Sequence, residues 1–109
     1  MTLKEADRAY QFNVQVQICG ATAKRICCEP CGRIFGIIKR RNRHGGSWWE
    51  CEFIEEKNGQ PISTMYVDVS DIRVSDDASD IKRHLVYGTE SESVEGEIYE
   101  ITENQVALH

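Results

Sequence analysis

Cys28-Glu29-Pro30-Cys31-Gly32 is the stretch of this sequence nearest to a metal-ligand pattern. Two thiolates at C-x-x-C spacing can face one ion, and the glycine lets backbone N–H groups approach the sulfurs, as in half of a zinc ribbon. A closed tetrahedral site needs four ligands, and no second C-x-x-C or spaced histidine pair follows. The missing two would have to come from Cys19, Cys27, Cys51 or His44 at irregular spacing. The plainer alternative makes Cys19 and Cys51 small core hydrophobes and leaves Cys27, Cys28 and Cys31 as reduced loop thiols. No cofactor is expected on that basis, and a small zinc-binding domain is the alternative. A thioredoxin-type redox pair would need Cys28 to open a helix inside a βαβ unit, which the surrounding pattern does not supply.

The second cluster is Lys39-Arg40-Arg41-Asn42-Arg43-His44-Gly45-Gly46, followed by Ser47 and then Trp48-Trp49. Guanidinium groups neutralise phosphates and release counterions, while an exposed Trp48 offers a stacking surface. On a hairpin tip, Lys39, Arg40, Arg41, Arg43 and His44 could reach into a groove or along a single strand. They could equally dock on an acidic protein surface, including the acidic end of this chain. They could also serve only to solvate a strand edge and discourage edge pairing. Gly45-Gly46-Ser47 lacks the Gly-Lys-Ser/Thr ending of a phosphate-binding loop.

The third cluster is acidic. Glu90-Ser91-Glu92-Ser93-Val94-Glu95-Gly96-Glu97, with Glu100 and Glu103 beyond it, contains no basic residue. Such a run is ordinarily a solvated loop and strand face. Its sharper use is phosphate mimicry, with carboxylates competing for another protein's basic groove, in the manner of small phage- or mobile-element-encoded inhibitors of nucleic-acid-handling machines. Strand alternation would set Glu95 and Glu97 on one face, with Glu103 as a third candidate.

Enzyme templates fail. G-x-S-x-G, H-E-x-x-H and H-x-E…C-x-x-C are all absent from the sequence. Cys27 or Cys28 can be drawn as a nucleophile with His44 or His84 as base, but no local pattern poises them together. Catalysis is not expected.

The elements that must position these clusters are short. The chain has 109 residues, 40% hydrophobic and 28% charged, which is ordinary globular composition for one domain. No apolar run approaches the ~18–20 residues that span a bilayer, and the N-terminus lacks a signal-peptide layout. No membrane association and a cytoplasmic location are expected, and five cysteines without a leader fit a reducing compartment. The net charge of −5 conceals an asymmetry: residues 24–44 carry +6 and residues 45–109 carry −11. A partner of mixed charge suits such a chain better than bare nucleic acid.

Thr2-Leu3-Lys4-Glu5 has the form of a capping box and predicts a short helix over residues 3–9. Phe12, Val14, Val16 and Ile18 alternate with polar residues and predict a strand. Residues 20–30 read as irregular. Residues 33–40 predict a second strand, with a bulge or a close backbone approach at Gly36, and residues 48–56 a third with Trp49, Cys51 and Phe53 inward. Asn58-Gly59 predicts a hairpin turn, because both central residues of a type I′ turn need positive φ. Met65, Val67 and Val69 continue as a fourth strand. Residues 70–80 read as an acidic connection with one helical turn, 85–87 as a short strand, and 94–101 with 106–108 as a C-terminal hairpin.

The expected fold is therefore mainly β, a β-rich α+β domain over residues 1–109. Residues 1–31 would hold the helix, a strand and the cysteine loop, 32–74 a barrel-like core, and 75–109 the acidic connection and hairpin. The order of strand, basic loop, Trp-rich strand, Asn-Gly turn and strand is similar to SH3-like and Tudor-like barrels. A strongly bent antiparallel sheet is the alternative. Within it, residues 49–64 resemble a stretch of the bacterial hemimethylated-DNA-binding family through Asn58-Gly59, Pro61 and Thr64. That resemblance carries no catalytic motif and implies only a barrel-like fold. The functional expectation is a non-enzymatic binding or regulatory protein that docks on a larger protein or nucleoprotein complex. Arg40, Arg41, Arg43 and Trp48, with Lys39 and His44, would form one contact patch, and Glu90, Glu92, Glu95 and Glu97 a second. Direct DNA or RNA binding by residues 39–44 is the first alternative.

Overall fold

The structure, a computed structural model, describes residues 1–88. The Thr2 box starts helix α1 (Leu3–Gln11): Glu5 N–H donates to Thr2 Oγ1 (3.2 Å) and Thr2 N–H donates to Glu5 Oε1 (2.8 Å). Two orphan donors of the first turn are thereby satisfied. The helix runs past residue 9 and ends at Phe12, after which Asn13 takes φ +52° and turns the chain back. The expected strand from Phe12 is accordingly short. Only β1 (Val16–Ile18) pairs, although Val14 is still buried.

β2 (Cys31–Arg41), β3 (Ser47–Lys57) and β4 (Gln60–Asp68) form the long antiparallel part of the sheet. A turn over Val69–Asp71 leads to β5 (Ile72–Val74), which pairs with β1. The sheet order is β4-β3-β2-β1-β5. Asn58 (φ +54°) and Gly59 (φ +77°) make the tight β3–β4 turn that their sequence predicts. Of the two expectations at Gly36 the bulge is present: Ile34 faces Phe53 and Gly36 faces Glu52, leaving Phe35 as the extra residue. A second irregularity leaves Ile62 unpaired between Pro61 and Ser63.

Among the described residues the sheet is open and does not close into a barrel, which corrects the SH3-like and Tudor-like expectation. β1 and β5 are three residues each, too short to curl round to β4. The molecule is a small α+β protein whose apolar sheet face is covered by helices. α1 packs on β2 and on α3 (Asp80–Tyr87). Ala6, Ile18, Ile34, Phe53, Ile72 and Val86 belong to one buried cluster, drawn from every part of the described chain.

Two further expectations are corrected. Residues 20–30 are not wholly irregular, because α2 (Gly20–Ile26) occupies most of them. Residues 85–87 are not a strand but the last turn of α3. The Ser79 hydroxyl accepts from Lys82 N–H (3.2 Å) at its start, and Asp80 favours the positive end of the helix. The expected C-terminal hairpin lies outside the described residues.

Candidate functional site

β2 and β3 run on beyond the core and carry the basic cluster at their joined end. Lys39 faces Trp49, Arg40 faces Trp48 and Arg41 faces Ser47. The loop that joins them is organised by Asn42. Its Oδ1 accepts from His44 N–H and Gly46 N–H, both at 2.9 Å, and its own N–H donates to Gly46 O (2.9 Å). Gly45 takes φ +83°, a conformation that favours glycine. This Asx-type turn holds Arg43 and His44 at a defined, exposed tip.

Alternation sends neighbouring residues to opposite faces. Arg40, Trp48, Glu50, Glu52 and Tyr66 share the face turned away from the core, while Lys39, Trp49 and Cys51 share the other. Glu50 ties the outer group together. Its Oε1 accepts from Arg40 Nε (3.0 Å) and its Oε2 accepts from Trp48 Nε1 (2.8 Å). The Arg40 guanidinium also lies over the Tyr66 ring, 5.0 Å from its centroid, in cation–π geometry. On the opposite face the Lys39 ammonium sits 5.8 Å from the Trp49 centroid. The Arg41 and Arg43 side chains make no ion pair or hydrogen bond among the described residues.

Large apolar side chains stay exposed on these three strands: Trp48 by 37%, Tyr66 by 49%, Phe35 by 51% and, at the far end of β4, Ile62 by 54%. Trp, Tyr and Arg are the residue types that dominate protein-binding hot spots. The same face carries Glu50, Glu52 and Asp68 in adjacent registers. Sequence reasoning missed Tyr66 and Glu50 as members of the group. The usable signal was the alternation of Thr64, Tyr66 and Asp68 against the inward Met65 and Val67.

The cysteines are spread out. Cys51 lies fully buried on β3, where burial pushes its thiol from 9.0 up to about 12. Cys19 is half-buried at the start of α2, and burial is the main cause that raises its thiol too. Cys27 and Cys28 are exposed at the end of α2, with Cys27 at φ +62°. Cys31 is half-buried at the start of β2, its Sγ 3.5 Å from Ser75 Oγ. Arg73 staples the intervening loop, donating to Glu29 Oε1 (3.3 Å) and to Asp76 Oδ1 (2.7 Å). His44 is at the far hairpin tip. Among the described residues no three His, Cys, Asp or Glu side chains gather in a metal-holding group. The proposed set of Cys28 and Cys31 with Cys19, Cys51 or His44 is thus not assembled. Cys51 is enclosed in the core on β3, and His44 stands at the exposed hairpin tip.

Glu90, Glu92, Glu95 and Glu97 lie outside the described residues. No described helix is long and apolar enough to cross a membrane. Asn58-Gly59 make the β3–β4 turn, and Pro61 and Thr64 lie on β4. No protein-family model, no curated protein and no solved structure matches the chain.

Proposed function

We propose that this chain is a non-enzymatic docking protein that contacts a larger protein or nucleoprotein assembly through the β2–β3 hairpin. The outer face of Trp48, Arg40 and Tyr66 provides the anchor, and Arg41 and Arg43 provide charge at its margin. The observation that carries the proposal is Glu50, which holds Arg40 and Trp48 at the same time. Two long side chains fixed before contact lose little conformational freedom on binding.

A protein surface with an apolar centre and an acidic rim suits this arrangement best. Glu50, Glu52 and Asp68 punctuate the aromatic face, so a phosphate chain laid along it would meet like charge. In sequence, the acidic stretch at Glu90, Glu92, Glu95 and Glu97 adds charge of the opposite sign. A partner that itself handles nucleic acid has regions of both signs, which supports a regulatory or inhibitory role. Direct DNA or RNA binding is the second reading. It is favoured only at the tip, where the Arg41 and Arg43 side chains have no partner among the described residues.

Affinity capture from the native host, with and without nuclease, separates the two readings. The expected result is a protein retained after nuclease and lost with the Arg41→Ala, Arg43→Ala, Trp48→Ala variant. A gel shift whose log-log salt slope falls by about one for each arginine removed would replace this proposal with direct nucleic-acid binding.

A further inference from the structure

β4 is an edge strand. Among the described residues it pairs with β3 alone, and its other side offers unpaired backbone N–H and C=O groups. Protein edges are normally guarded by lysine, proline, a bulge or a covering element. Here Pro61 and the irregularity at Ile62 guard one end only. From there Ile62-Ser63-Thr64-Met65-Tyr66-Val67 runs without a charge, a proline or a glycine. Its composition suits strand pairing, and Ile62 and Tyr66 are about half exposed. The opposite edge, β5, is only three residues long and is a poor template.

We infer that β4 is a self-association edge, pairing antiparallel with β4 of a second copy about a two-fold axis at Thr64. This register is self-complementary. Ile62 of each copy faces Tyr66 of the other, a β-branched–aromatic pair that occurs twice. Ser63 faces Met65, and Thr64 faces its own counterpart. At the ends Gln60 faces Asp68.

Charge fits as well. Glu50 lies beside Asp68, and Lys57 lies beside Gln60. The register therefore lines up Glu50 and Asp68 of one copy with Gln60 and Lys57 of the other. Lys57 comes within about two strand spacings, ~10 Å, of the opposing Asp68. Across the new β4–β4 seam no like charges face each other directly. A second copy satisfies both the edge and its charges, whereas a strand of arbitrary sequence satisfies only the edge. The joined sheet has ten strands, and its two basic hairpin tips stand at opposite ends. The inference does not rest on the proposed docking function, although Tyr66 belongs to both surfaces.

The test is sedimentation equilibrium of the full chain at micromolar to millimolar concentration. Wild-type protein is expected to approach twice the mass of one chain. Thr64 is exposed, so Thr64→Lys and Thr64→Glu should fold normally, checked by circular dichroism. Each places like charges across the axis and should weaken association roughly tenfold or more. An equimolar mixture of the two variants should recover the dimer, because opposite charges then meet. A single-chain mass at every concentration, undiminished association of Thr64→Lys, or a mixture that stays monomeric would each overturn the inference. A monomer whose β4 amides resist hydrogen exchange would overturn it too, and would place the strand's occupant within the same chain.

Discussion

Gly32 stands where β2 is clasped between β1 and β3, opposite Val16 on one side and Glu55 on the other. A Cβ added there would lie 2.0 Å from the Ile54 carbonyl oxygen, 2.8 Å from its carbon and 2.9 Å from Glu55 Cα. All three are backbone atoms of a paired strand, so no side-chain rotation relieves the overlap. Restoring an ordinary contact means moving β3 outward by about 1 Å in a sheet whose strands are spaced about 4.8 Å apart. The adjoining β2–β3 hydrogen bonds would then stretch beyond their working length.

Overlap forced into a packed interior costs about 1–3 kcal/mol, and backbone atoms put Gly32→Ala at the upper end. Alanine restricts the unfolded chain and returns about 0.5 kcal/mol. The net loss is about 2.5 kcal/mol, or a fall of roughly 10–20 °C in Tm for a domain of this size. Gly36→Ala is the control on the same strand. Its nearest atom would be Glu52 Oε2 at 3.4 Å, the far end of a flexible side chain. That variant should stay within about 0.5 kcal/mol of wild type. Thermal and urea unfolding, followed by circular dichroism and tryptophan fluorescence, measure both. If Gly32→Ala and Gly36→Ala unfold together, the close β2–β3 crossing at Gly32 is refuted.

Gly59→Ala isolates conformation from space, because nothing lies within 4 Å of its added Cβ while its φ is +77°. Urea unfolding should show a loss of about 1–2 kcal/mol, the cost of a left-handed alanine. Cys51 makes stability pH-dependent on the alkaline side. Its thiol is raised from 9.0 to about 12 by burial, so its contribution is complete below pH 9 and lost between pH 9 and pH 12. Unfolding free energy should fall there by up to about 1.4 kcal/mol per pH unit from this group, and the slope should be shallower by one proton in Cys51→Ala.

Elements stabilised by near neighbours were legible in the sequence. The Thr2–Glu5 box is three residues wide, and Asn58-Gly59 specifies its turn locally. β3 alternates cleanly from Trp49 to Phe53. α2 escaped because its support is remote. Its N-cap, Cys19, makes no side-chain bond, and the first turn is held instead by Asp71, whose Oδ2 accepts from Thr22 Oγ1 (2.7 Å). α3 escaped because Leu85-Val86-Tyr87 alone looks like a strand, and the decisive Ser79 cap lies several residues upstream. The open sheet depends on the lengths of β1 and β5, which were set by where Asn13 and Asp71 turned the chain. In the candidate site the arginines and Trp48 were visible as a cluster. Tyr66 was not, because its place beneath Arg40 follows from cross-strand register rather than from spacing along the chain.

The four basic side chains that read alike in sequence are not equivalent once folded. Past Ile37 and Cys51 the hairpin has only the half-buried Trp49 packed against the core, so cross-strand pairs must fix its shape. Lys39 is committed to the Trp49 ring, and Arg40 to Glu50 and Tyr66. The Arg41 and Arg43 side chains have no partner among the described residues. Glu50 cancels the charge of Arg40 while holding it in place, which leaves uncompensated positive charge on Lys39, over the Trp49 ring, and on Arg41 and Arg43 at the tip. Within the proposed contact, Arg40 and Glu50 therefore set geometry, and Arg41 and Arg43 set electrostatic attraction. Loss of an exposed tip charge acts mainly on the rate of encounter and its salt dependence, whereas loss of a fixed anchor acts on the lifetime of the complex. Exchanging Arg40 with Arg41 in function is thus not permitted by the fold, although the two are adjacent and identical in sequence.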